Sequence, residues 1–209
     1  VIKPEVARIR DATAALCEPL HDAFAWAEQR RAKQLPELAS PQYRWLRTHT
    51  IRGLAHHRLS RASLGSWALS GNHARNGELW MTDGDYKIRL LHGFRDDHVP
   101  APGLNRQRRA YYTNPPLPSY FQEPLIGPAR NKLLALWRIG AEGAPLFRIV
   151  RTIGPWNFGK SSKVDLDFPL LTTAQDLQAL QFIPQDEGLE LDLPIEETRD
   201  ADGTGGFPR

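Results

Sequence analysis

Apolar residues recur at helical spacing up to Ala62 and at the alternating spacing of strands after Gly65. Val6, Ile9, Thr13, Leu16, Leu20, Phe24 and Ala27 fall three or four apart behind Pro4, which suits a first helical turn. They predict an amphipathic helical segment ending by Pro36. Pro19 lies inside the run, so either one helix kinks there or two helices meet near Glu18. Ser40 and Pro41 form a second start signal. The helix they open runs into residues 41–62, with a break expected near Gly53, a poor interior residue.

The second half reads as strands. Residues 78–82 and 85–89 flank Asp83-Gly84, a strong hairpin signal. A two-residue turn pairs Met81 with Tyr86, Leu79 with Ile88, Trp80 with Lys87 and Glu78 with Arg89. Residues 132–139 and 146–153 are apolar on both faces around the turn at 140–143 and predict central strands. Val164, Leu166 and Phe168 alternate with Asp165 and Asp167 as a half-exposed strand ending at Pro169. Thr173 and Asp176 resemble a capping box for a short helix through Leu177 and Leu180.

Residues 93–130 show little periodicity and hold seven prolines, at Pro100, Pro102, Pro115, Pro116, Pro118, Pro124 and Pro128. A connection of that length points to a binding loop, a lid or a disordered segment. The pattern predicts an α+β fold: N-terminal helices packed on an antiparallel sheet built from β-hairpins. A long Pro/Arg-rich loop and an acidic C-terminal tail complete it. Residues 1–66 form the helical segment, 67–183 the β-rich segment of the same domain, and 184–209 the acidic tail, partly disordered.

Composition narrows the class. The chain has 209 residues, 41% of them hydrophobic and six of them tryptophan, which excludes wholesale disorder. Cys17 is the single cysteine, so neither a disulfide framework nor a cysteine zinc site is available. Apolar runs are too short for a membrane span and the N-terminus lacks the order of a secretory signal, so the expected location is cytoplasmic. Neither H-x3-H nor H-E-x-x-H occurs, and no metal or cofactor is expected.

Charge changes the picture most. The net charge is only +3, yet residues 1–163 carry about twelve excess positive charges and residues 164–209 about nine excess negative ones. Between Glu37 and Glu78 there is no carboxylate and no lysine, but six arginines and four histidines, with Tyr43, Trp45 and Trp67 interleaved. That composition fits a surface that meets polyanions. Arg44, Arg47, Arg58 and Arg61 share one arc of the expected helix, of which Arg44, Arg47 and Arg61 are candidate nucleic-acid contacts. In the long loop, Arg106, Arg108 and Arg109 precede Tyr111 and Tyr112, a pairing of phosphate-binding cations with base-stacking rings.

The candidate catalytic residues are His56, His57, Arg52 and Arg58. Metal-independent RNA cleavage needs a base, an acid and a cation for the transition state, and these residues supply all three types. Arg52 and His57, with four residues between them, resemble the R-x4-6-H element of the HEPN ribonucleases. The resemblance covers those two positions and implies a small ribonuclease of toxin type. That family is all-helical, from which the β-rich half departs. Residues 154–161 match the P-loop pattern G-x-x-x-x-G-K-S, but the alternating residues behind them predict a connection between strands. Asp97 to Pro100 resemble the opening of an HNH nuclease motif, and Asp85-Tyr86-Lys87 half of a PD-(D/E)xK motif, each without its remaining elements. The expected function is binding of nucleic acid, RNA or single strands, with ribonuclease activity as its catalytic form. The alternative is a non-enzymatic interaction component whose basic face binds an acidic protein partner.

Overall fold

The computed structural model describes residues 4–95, 98–117 and 131–180. Its helices and six-stranded, mostly antiparallel sheet form the α+β class that the two spacings predict. The acidic tail at 184–209 and residues 118–130 of the long loop lie outside the described residues.

Two helices form the N-terminal segment, α1 at Pro4–Ala14 and α2 at Cys17–Gln34. Pro19 falls in the first turn of α2, where N–H groups have no intrahelical acceptor and proline costs little. Pro36 closes the segment, since its ring disfavours helix at Leu35. A short 3-10 turn at Pro41–Tyr43 leads into α3, Arg44–Leu59. The expected break at Gly53 does not occur. Ile51, Ala55 and Leu59 make a buried stripe on α3, which packs on α2, and this outweighs the roughly 1 kcal/mol cost of one interior glycine.

The sheet runs β1 (Ala68–Ser70), β2 (Trp80–Thr82), β3 (Tyr86–His92), β4 (Asn131–Ile139), β5 (Pro145–Ile153) and β6 (Lys163–Leu170), in that spatial order. The hairpin of β2 and β3 forms with a different register from the expected one: Met81 pairs with Ile88, Trp80 with Arg89 and Thr82 with Lys87. The Asp83 carboxylate explains the two-residue shift. It accepts from the N–H groups of Asp85 and Tyr86 at 3.1 and 2.8 Å, which builds a longer turn than Asp-Gly alone. Inward and outward faces survive because the shift is even. The expected hairpin of β4 and β5 and the strand β6 form, with Pro169 tolerated on an edge. The P-loop-like residues 154–161 connect β5 to β6, so a strand stands where a P-loop would open a helix. Helix α5, Ala174–Ala179, starts at Thr173, whose hydroxyl accepts from Asp176 N–H.

One pairing departs from a purely antiparallel sheet. β3 and β4 are parallel, so the chain must cross over between them, and the long loop is that crossover. It carries a helix absent from the sequence reading, α4 at Arg106–Tyr112, whose N-cap Asn105 accepts from Arg108 N–H. On one face of the sheet, Ile88, Leu133, Trp137, Phe147 and Phe168 join the core of α1, α2, α3 and α5, with Phe24 4.8 Å from Trp137 and 5.1 Å from Phe147. On the other, Val99, Tyr111 and Tyr112 of the crossover cover Leu134, Leu136 and Val150. Among the described residues no helix is long and apolar enough to cross a membrane.

Candidate anion-binding cleft

The buried stripe of α3 divides its basic residues between two flanks. Arg47 donates to the buried Glu28 at 2.6 Å beside Arg31, and Arg58 lies over the Trp26 ring, so this flank turns to α2. Trp45, His49, Arg52 and His56 lie on the other flank. There, residues 71–79 wrap back on the helix: His56 stacks on His73 at 3.8 Å and Arg52 Nη2 donates to the Asn76 carbonyl at 2.8 Å. Asn76 and Gly77 adopt left-handed backbone, and a Cβ at Gly77 would stand 3.1 Å from Arg52 Nη2. Glycine is needed there for both reasons.

Beside this contact opens a cleft of about 250 Å³, walled by α3, β3 and the crossover. Arg52 from α3, Arg89 from β3 and Arg108 from α4 line it together, with Glu78 the one carboxylate among the described residues of its walls. Among the described residues no carboxylate forms an ion pair with any of the three arginines. Burial lowers the pKa of Arg52, and Arg89 lowers it further; burial lowers that of Arg89, and Arg108 adds to it. Like charges have been gathered and partly stripped of water, which is costly in the free protein. Arg52 Nε is buried without a hydrogen-bond partner. Arg89 rests against its cross-strand neighbour Trp80, its Cζ 4.9 Å from the ring centre. His49 Nδ1 accepts from Arg52 Nη2 at 2.8 Å, and burial, then Arg52, lowers its pKa, which keeps the imidazole mostly neutral at pH 7.

The crossover is held in place by a buried node at its far end. Arg151, 1% exposed, donates to Asn131 Oδ1 at 3.1 and 3.0 Å, to Asp165 Oδ2 at 2.5 Å and to the Pro115 carbonyl at 2.8 Å. Asp165 also accepts from Leu117 N–H at 2.9 Å. One guanidinium thus ties the segment behind α4 to β4, β5 and β6.

The candidate residues from sequence separate into groups. Arg52 and Arg108, 56 positions apart, meet in the cleft. The four candidate catalytic residues do not converge: Arg52 turns to Asn76, His56 to His73, Arg58 to Trp26, and His57 to Arg61, whose Nη1 lies 2.8 Å from His57 Nδ1. Neighbours on a helix point about 100° apart, which separates His56 from His57. Arg47 is committed to Glu28, while Arg44, Arg61 and Arg106 are exposed. Arg109 donates to the Gly103 carbonyl and lies over the Trp156 ring.

Tyr111 and Tyr112 require correction as stacking platforms. Both are buried, and their hydroxyls donate inward, Tyr111 to the carbonyls of Lys87 and Leu133 and Tyr112 to that of Pro100. Burial pushes the Tyr112 phenol up to about 12. They are rings of the second core, placed there because α4 needs an apolar face toward the sheet. Trp67 is likewise buried, with Nε1 on the Ala12 carbonyl. The exposed ring next to the cleft is Trp45, 64% exposed, which does not line it but makes an edge contact with the wall residue His49.

Sequence reasoning missed Arg89, because the assumed hairpin register set it opposite Glu78. Its usable signal was the alternation of Trp80 with Lys87 and Arg89 on one face. Among the described residues no cluster of three or more His, Cys, Asp or Glu is placed to hold a metal ion. No family model matches the chain, and neither a curated protein nor a solved structure matches it.

Proposed function

We propose that the protein binds single-stranded nucleic acid, RNA foremost, across the surface that leads from Trp45 and Arg44 into the arginine cleft. The observation that carries this reading is the meeting of Arg52, Arg89 and Arg108, with which no carboxylate among the described residues forms an ion pair, next to the wall residue His49 and the exposed indole that touches it. Arginines neutralise phosphates while a free aromatic face accepts an unstacked base, and single strands and RNA loops offer both groups.

The catalytic form of this reading, a metal-independent ribonuclease, shifts from the adjacent histidines to His49. Its imidazole lies in the cleft wall with Nδ1 accepting from Arg52, so it serves as the base once a bound phosphate draws Arg52 away and frees that lone pair.

The test is fluorescence anisotropy of the full chain with labelled single-stranded RNA, single-stranded DNA and duplex DNA in EDTA. Three phosphate contacts on a single strand weaken binding roughly 20-fold between about 50 and about 200 mM salt. Arg52→Gln, Arg89→Gln and Arg108→Gln should each weaken binding and flatten the salt slope by nearly one contact. Cleavage of the RNA in EDTA, abolished by His49→Asn, would establish the enzymatic form. Absence of binding to all three strands at low salt overturns the nucleic-acid reading and leaves an acidic protein as the partner of the basic face.

A further inference from the structure

We infer that the arginine cleft receives a terminal phosphomonoester dianion and not an internal phosphodiester. The inference takes its strand from the nucleic-acid reading above, but its phosphate stands on the cleft itself.

Charge is the first reason. Among the described residues of the walls, three arginines and one glutamate leave two positive charges in excess, and the mostly neutral His49 adds little. A phosphodiester carries one negative charge. A phosphomonoester, whose second pKa is about 6, carries between about 1.5 and 2 at pH 7 and matches the excess. One diester would leave a half-buried guanidinium uncompensated, the costly state of the free protein.

Shape is the second reason. A groove that tracks a strand spaces its cations along the backbone, one for each phosphate. Here Arg52, Arg89 and Arg108 come from three different elements and converge on one volume, close enough for Arg89 to be perturbed by Arg108 and Arg52 by Arg89. Leu79, Leu90 and Tyr112, all buried, stand behind them as an apolar back wall. The space of about 250 Å³ is enough for a phosphoryl group with its sugar. A chain end can enter such a volume, whereas a continuous strand would have to turn back out of it.

The fixed arginine explains how the group would be oriented. Arg52 is clamped through Nη2 by His49 and the Asn76 carbonyl, so its guanidinium plane is set before any ligand arrives. Arg108, exposed on α4, closes from the solvent side.

The deciding experiment measures anisotropy of the full chain with one RNA sequence in three forms, bearing a 5′-phosphate, a 3′-phosphate or hydroxyls at both ends. The label sits on the opposite end in each case. Thermal shifts with inorganic phosphate and with adenosine monophosphate accompany it, to separate a strand end from a free small phosphate. A phosphate at one end should tighten binding about 10-fold or more, and Arg89→Gln should erase that difference. Arg89→Gln should melt no lower than the unaltered protein, because it removes a half-buried cation that has no ion-pair partner among the described residues and is crowded by Arg108; Arg108→Gln, at an exposed position, serves should it fail to fold. Equal affinity for all three RNAs overturns the inference and leaves strand binding intact. Stabilisation by adenosine monophosphate that Arg89→Gln abolishes, without RNA binding, upholds the phosphomonoester site and refutes the strand. No response to any probe refutes both.

Discussion

Replacing Arg151 by methionine keeps most of the apolar stem and removes a head group that makes four hydrogen bonds inside the protein. The loss is larger than the bonds alone, because Asp165 and Asn131, mostly buried, are left with the charge and the acceptor that Arg151 had satisfied. Breaking a buried pair by deleting one partner costs about 3 to 5 kcal/mol. With a urea m value of about 2 kcal/mol/M, a loss of about 4 kcal/mol lowers the midpoint by about 2 M at unchanged slope. Asp165→Asn keeps an oxygen for Leu117 N–H but removes the charge. Combined with Arg151→Met it should recover about half of the single-variant loss, since no uncompensated ion remains. Urea unfolding followed by tryptophan fluorescence measures all four members of the cycle. A loss below about 1 kcal/mol for Arg151→Met, or strict additivity of the two substitutions, would refute the role of this node in holding the crossover to the sheet.

Three further outcomes follow from the geometry. Gly77→Ala puts a methyl 3.1 Å from Arg52 Nη2 on left-handed backbone, so it should cost about 1 kcal/mol or more and weaken oligonucleotide binding by displacing Arg52; unchanged affinity would detach that arginine from the ligand. Trp45→Ala removes a mostly exposed ring and should cost about 1 to 3 kcal/mol of strand affinity with little change in melting temperature, whereas a Tyr111→Ala variant should chiefly destabilise. Burial holds the His21 imidazole below its ordinary pKa, with its Nε2 2.9 Å from the Leu170 carbonyl, and His49, His56 and His92 shift in the same direction. All are neutral in both states at about pH 8, so they contribute nothing there. As pH falls through the unfolded value of about 6.5, the unfolded chain takes protons that the native one resists, and stability should drop. A urea midpoint that holds steady from about pH 8 to about pH 5, or a His21→Gln variant with an unreduced slope, contradicts this assignment.

Local chemistry was legible where it acted locally. The helical face from Val6 to Ala27, the strands of the second half and the Thr173 cap each follow from neighbours a few residues apart. The register at Asp83 was not, because its side chain competes with the Asp-Gly turn for the same backbone N–H groups. Nor was the parallel pairing of β3 with β4, which depends on where a 38-residue connection returns. The arginine count in residues 38–77 was visible, but its division by the buried stripe of α3 was not. Arg47 and Arg58 look interchangeable with Arg52 in sequence, and only packing sends them to opposite flanks. Tyr111 and Tyr112 show the same limit in reverse, for rings that follow arginines serve a core as readily as a ligand.

The parallel seam between β3 and β4 also fixes an order of events in time. Closing a loop costs about (3/2)RT ln n, so the 38 residues from β3 to β4 require roughly 2 kcal/mol more entropy than the five between β4 and β5. The two antiparallel halves, β1 to β3 and β4 to β6, are therefore expected to assemble before they join. Arg89 belongs to the first half, while Arg108 rides on the connection that only the joining pulls taut. A chain still short of that last event has its hairpins but no gathered cations. During refolding, the capacity to hold an anion should appear with the slowest phase and not with the bulk of the secondary structure, which makes ligand binding a clock for the completion of the fold.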